Sequence, residues 1–128
     1  MKFARIVFLI AGIYGIVVIA PQYFLEQAIA QQSQHQIYHP EYFYGFLGVT
    51  LAWQIVFLII ATNPPRYRPI MYAACVEKLG FGVAIPILYL QNRVSLNMVA
   101  AACIDLVLLT LFAVSIYLTA RTKSDAVG

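Results

Sequence analysis

Met71-Tyr72-Ala73-Ala74-Cys75-Val76-Glu77-Lys78-Leu79-Gly80-Phe81-Gly82-Val83-Ala84 is the stretch that decides how this chain is read. An acid and a base stand side by side in a segment otherwise apolar and long enough to cross a bilayer. A charge at that depth is costly, so it has to be paired, hydrated or turned into the interior of a bundle. The rest of the chain must supply that shelter, and it holds three further segments of the same apolar kind.

Composition points the same way. Of the 128 residues, 62% are hydrophobic and only 10% are charged, where soluble domains carry about 25% charged residues. Such a chain cannot cover its apolar surface with groups that suit water, so the lipid bilayer is the expected surrounding. The formal charge of +3 is no nucleic-acid signature. Its basic residues are scattered between apolar blocks and form no single patch. Cys75 and Cys103 both fall inside apolar segments without a CxxC spacing, and read as small packing residues.

Residues 1–128 are expected to form one domain of four spans, at about 3–20, 43–62, 69–90 and 96–119, each near the twenty or so residues a bilayer core requires. Pro21 ends or kinks the first, because proline lacks an N–H and its ring clashes with the preceding turn. A cleavable signal peptide competes for this span, since Ala28-Ile29-Ala30 resembles a cleavage site. The wide spacing between that site and the apolar block, with Glu26 inside it, favours a span that stays attached. Residues 21–42 form the one long polar connection. In it Phe24, Leu25, Ala28 and Ile29 recur at helical spacing, which predicts a short amphipathic helix at the membrane surface or extending the first span. Tyr23, Tyr38, Tyr42, Phe43 and Tyr44 surround it as a headgroup-level belt. Asn63-Pro64-Pro65 stops the second span, Pro69 suits the first turn of the third, and Gln91-Asn92-Arg93 makes a tight turn. Residues 121–128 read as a polar tail.

Lys2, Arg5, Arg66, Arg68, Arg121 and Lys123 fall on one side of this arrangement, and the opposite side has only Arg93. The positive-inside rule then places both termini in the cytoplasm and the 21–42 connection outside. The fold class is therefore all-α, an integral membrane four-helix bundle, with a bacterial inner membrane as the expected location.

Laid antiparallel, the spans bring their polar residues to one depth. Gln54 in the second, Glu77 and Lys78 in the third and Asp105 in the fourth all come near the midplane at a rise of about 1.5 Å per residue. Glu77 shares a helical face with Ala73, Ala74, Gly80 and Ala84, and Asp105 shares one with Ala101 and Ala102. Arg5 aligns with Phe8, Gly12 and Gly15. Small residues permit close helix approach in lipid, so these faces are expected to point inward and bring Glu77, Asp105 and Arg5 together. Lys78 either pairs with Asp105 or extends its stem toward the inner interface. Such a set is a site for a proton, an ion or a small amphipathic ligand. It is equally a structural clamp, with two acids facing two bases.

Other candidates carry less. Trp53 beside Gln54 walls a ligand cavity or packs the core. His35 and His39 are a conceivable metal pair, but Pro40 disfavours helical geometry at His39, so no metal site is expected. His39-Pro40-Glu41-Tyr42 reads better as the cap of the second span. No nucleophile elbow, phosphate loop, zinc motif or haem motif is present, which speaks against an enzyme, and the sequence names no cofactor.

The aromatic Tyr42-Phe43-Tyr44-Gly45-Phe46, the Pro/Arg turn over 63–68 and the charges in the third span together resemble the small DoxX-like membrane proteins of bacteria. That resemblance implies four helices with short connections, and for some members a link to respiratory or quinone-related complexes. It assigns no functional residue. Two functions remain open: binding or conducting a proton, ion or amphipathic ligand at the midplane cluster, or serving as an accessory subunit through association with other membrane proteins or with itself.

Overall fold

Pro21 stops the first helix where its chemistry requires. In the computed structural model, which describes residues 2–33 and 37–127, helix α1 covers Lys2–Ile19 and tightens into a 3-10 turn over Ala20–Phe24. The amphipathic pattern beyond it forms α2, Glu26–Ser33. Three long helices follow: α3 over Pro40–Thr62, α4 over Pro64–Leu90 and α5 over Leu96–Val127. Helices α1, α3, α4 and α5 are long and apolar enough to cross a membrane.

The third span begins earlier than Pro69, and the reason is a cap. Asn63 alone separates α3 from α4, and its side chain accepts the backbone N–H of Arg66 at 3.3 Å. The Asn-Pro-Pro run that ends one helix thus also starts the next, with proline in the first turn, where its missing N–H has no intrahelical partner to lose. Pro69 and Pro86 both lie inside α4. The second span likewise begins at Pro40, with Glu41 in its first turn. The fourth helix runs on to Val127 through the stretch expected to be a tail. No proline interrupts it.

At the other end of α4 the turn is closed by geometry that only a few residues adopt. Asn92 has φ 57°, the left-handed region. From there its N–H reaches the Tyr89 carbonyl, and the N–H of Arg93 reaches that of Leu88. Two orphan carbonyls are satisfied in this Schellman arrangement, for which asparagine is the usual substitute for glycine.

The four long helices alternate in direction and close a ring. Helix α1 packs on α3, α3 on α4, α4 on α5, and α5 returns to α1. The half of the bundle nearer the two termini is solid. Phe8 and Phe112 stack at 4.3 Å and Phe57 meets Phe112 edge-on at 5.1 Å, with Ala4, Ala11, Ile60, Met71 and Ala74 filling the space around them. Outside, Ile6, Ile10, Ile13 and Val17 on α1, Val76, Val83 and Ile87 on α4, and Val107 on α5 are all exposed. An exterior this apolar suits hydrocarbon and not water.

Candidate functional site

Lys78, not Glu77, occupies the buried stripe of α4. That stripe is Pro64, Met71, Ala74, Lys78, Gly82 and Ile85, whereas Gly80, Ala73 and Ala84, expected to face inward with Glu77, are exposed. The difference comes from Lys78 itself: its side chain is buried and its ammonium, alone among the basic groups of the described residues, is paired with both acids. Lys78 Nζ donates to Asp105 Oδ1 at 3.1 Å and stands 3.4 Å from Glu77 Oε2. It also lies 5.4 Å from the centre of the Phe57 ring, within cation–π range. Only 5% of the residue is exposed. Of its two expected positions, the lysine takes the one paired with Asp105.

Gln54 enters from α3 and is 2% exposed. Its amide Nε2–H donates to the Thr50 carbonyl at 2.9 Å. The rest of the carboxamide fills the notch left by Gly15 on α1, where any side chain would overlap it. A missing side chain on one helix therefore positions a polar one on the next.

These four residues form the floor of a cleft of about 190 Å³. It occupies the half of the bundle nearer the 20–42 connection, above the aromatic core. Its walls are mainly apolar: Tyr14 and Val18 from α1, Phe46 from α3, Phe81 from α4, and Met98 and Ala101 from α5. Gln22, in the 3-10 turn that follows α1, borders it and donates to the Val18 carbonyl at 3.0 Å. A mainly apolar cavity with a few convergent polar groups is the common form of a small-molecule site.

Arg5 does not join the cluster. It is exposed, and its guanidinium donates to the carbonyl of Thr62, the last residue of α3, at 3.4 Å. A cation at that place satisfies an orphan carbonyl and the negative end of the helix, which a midplane position does not offer. Without Arg5 the neutral set of two acids and two bases becomes one ammonium between two carboxylates. Arg68 makes the corresponding link at the same end of the bundle, donating to the Ile116 carbonyl at 3.2 Å and to the Tyr72 hydroxyl at 3.2 Å.

Trp53 is absent from the cleft wall. Its ring lies 6.3 Å from Phe57 and packs against the hydrophobic core, because it points away from the Gln54 face. His39 is exposed and its Nδ1 is 3.2 Å from Glu41 Oε1, while His35 lies outside the described residues. Among the described residues no group of three His, Cys, Asp or Glu side chains comes together to hold a metal. Cys75 packs against the aromatic core and Cys103 faces outward.

The wall residues went unnoticed in the sequence, yet a signal was there. Thr50 precedes Gln54 by one helical turn, Phe81 follows Glu77 by one, and Ala101 and Met98 precede Asp105 by one and two. Stepping along the helix from each polar residue finds them. Compared with known proteins, the chain matches no family, no curated protein and no solved structure.

Proposed function

We propose that this chain is a small multi-pass membrane protein that holds a proton, an ion or a small amphipathic ligand in the cleft floored by Gln54, Glu77, Lys78 and Asp105. The observation that carries this reading is the cleft itself. A clamp that only fixed helix register would be served by a closed core, and the aromatic half of the same bundle shows that these helices can close one. Instead the charged residues border open space. With no activated nucleophile beside that space, binding or conduction suits it better than covalent catalysis.

The membrane is read as a bacterial inner membrane, with both termini in the cytoplasm and the cleft in the outer half, on the strength of the basic residues at the ends of α1, α4 and α5. The check is labelling in intact cells, in a background where Cys75 and Cys103 are serine. A cysteine at Gln32 or Gln91 is expected to react with an impermeant reagent, and one at Arg66 only after permeabilisation. The opposite pattern would invert every span.

Occupancy of the cleft is tested by purification in lipid nanodiscs followed by mass spectrometry of retained small molecules. Ala101→Trp, which fills the space from α5 and changes no charged residue, is the comparison. A compound retained by the unmodified chain and absent from the variant is the expected result. Identical profiles from two equally stable proteins would remove the ligand reading.

An accessory subunit is the second reading. It is supported by the exposed small residues Ala73, Gly80 and Ala84 along α4, since nothing lies within 4 Å of where a Gly80 side chain would stand. Small residues of that kind let helices approach closely in lipid. A protein that remains bound to the chain through the same purification would favour it.

A further inference from the structure

The cleft has a charge preference that its position alone does not convey. Lys78 is fully engaged: it donates to Asp105, contacts Glu77, lies over Phe57 and is almost wholly covered. An anion entering the cleft finds no free positive group there. The carboxylates are in the opposite condition. Asp105 Oδ1 accepts from the lysine, but Glu77 Oε2 is buried and, among the described residues, has no hydrogen-bond partner. With all three groups ionised the floor carries one negative charge too many, and Glu77, with the longer contact to the lysine and no hydrogen bond from it, is the less compensated acid. A carboxylate accepts hydrogen bonds and attracts cations, and does both more strongly away from water.

The walls add an independent observation. Tyr14, Phe46 and Phe81 approach from three different helices and all border the same space. Aromatic rings around an opening bind cationic heads through their negative faces, quaternary ammonium groups above all. At about 190 Å³ the space is smaller than the sites that enclose a drug-sized molecule, which run from about 300 Å³. It suits a head group and its first carbons, with the remainder of a chain leaving through the mouth.

Building on the reading of the cleft as a ligand site, we infer that its ligand is an amphiphile with a single cationic head, an amine or quaternary ammonium, held between Glu77 and the rings of Tyr14, Phe46 and Phe81. Asp105 and Lys78 position Glu77 and take no part in contacting the head.

Three probes with one tail separate the possibilities: hexyltrimethylammonium, hexanol and hexyl sulfate, measured by equilibrium dialysis against the protein in zwitterionic nanodiscs, with empty nanodiscs subtracted. The cation is expected to bind at least about tenfold more tightly than hexanol, the scale of one strong desolvated cation–π contact. The sulfate is expected to bind more weakly than either. Glu77→Gln should cut the advantage of the cation to the part that the rings supply, while leaving alcohol binding unchanged. Phe81→Leu, which keeps every charge, should reduce the advantage of the cation in the same direction. Equal binding of cation and alcohol, both abolished by Ala101→Trp, would overturn the charge preference and leave the cleft as a ligand site. Tighter binding of the sulfate would overturn it as well. A preference for the cation undiminished by Glu77→Gln would remove Glu77 from its role. No binding by any probe would overturn both this inference and the function on which it rests.

Discussion

Replacing Lys78 with methionine is expected to destabilise the bundle by about 3–5 kcal/mol, the cost of breaking a buried ion pair by removing one partner. Methionine keeps most of the apolar stem, so the packing against Phe57 changes little. What disappears is the one cation between Glu77 and Asp105. Two carboxylates then share a poorly hydrated floor with each other for company. Asp105 is the partner with the shorter contact, so the double variant Lys78→Met with Asp105→Asn is expected to recover much of the loss. A double-mutant cycle measures that coupling directly. Glu77→Gln alone is expected to cost far less, of order 1 kcal/mol. It leaves Lys78 bonded to Asp105, and what it removes is the longer contact of the two, at 3.4 Å. Reversible unfolding in mixed micelles of the parent chain, the single variants Lys78→Met, Asp105→Asn and Glu77→Gln, and the double variant gives all five stabilities. Should Lys78→Met prove as stable as the parent chain, the charges do not hold these helices together.

The asymmetry between Glu77 and Asp105 explains why part of this site was legible in the sequence and part was not. The depth of a residue along a helix is fixed by its number and a constant rise, so Gln54, Glu77, Lys78 and Asp105 could be placed at one level without coordinates. Which residue faces inward depends on the rotation of the helix. Small residues point to the rotation, and in α4 three of the four mislead: Ala73, Gly80 and Ala84 are exposed, whereas Ala74 is buried as expected and shares its stripe with Met71 and Lys78. In water a lysine on the buried stripe would be improbable, but in this bundle the acids on either side of it make that the cheaper arrangement. Arg5 was misplaced for a related reason. Its helical alignment with Gly12 and Gly15 is real, yet a residue near the end of α1 is closer to the end of α3 than to the midplane, and a helix terminus offered it a carbonyl.

Helix starts failed in an equally specific way. A proline pair after asparagine stops a helix, as it does α3, but Pro64 and Pro65 are also first-turn residues of α4 once Asn63 caps it. The open space was the least accessible feature of all. A cleft is set by the distance between helices, and no residue pattern along one strand of sequence encodes that distance except where glycine brings two helices together.

Gly12 is such a place, and Gly12→Ala is expected to cost about 1–3 kcal/mol, the usual range for overpacking a close contact. The added methyl group would lie 2.7 and 2.8 Å from the side-chain carbons of Leu58 and 2.9 Å from the backbone carbonyl oxygen of Gln54. Leucine can rotate away from such a contact. A carbonyl held in a helix cannot, so α1 has to withdraw from α3 along the seam that also carries the Gly15 notch and the contact of Phe8 with Phe57. Helix propensity acts in the opposite direction, since alanine is better than glycine in a helix by up to about 1 kcal/mol. The measured loss is therefore what remains after that gain. Gly80→Ala supplies the control on the same terms: nothing lies within 4 Å of its added methyl group, so propensity acts alone and the variant should be neutral or slightly more stable. Unfolding of both variants under the same micelle conditions compares them. Equal stabilities would mean that α1 and α3 are not in contact at Gly12, and the floor of the cleft, which Gln54 reaches only across that seam, would then have to be built differently.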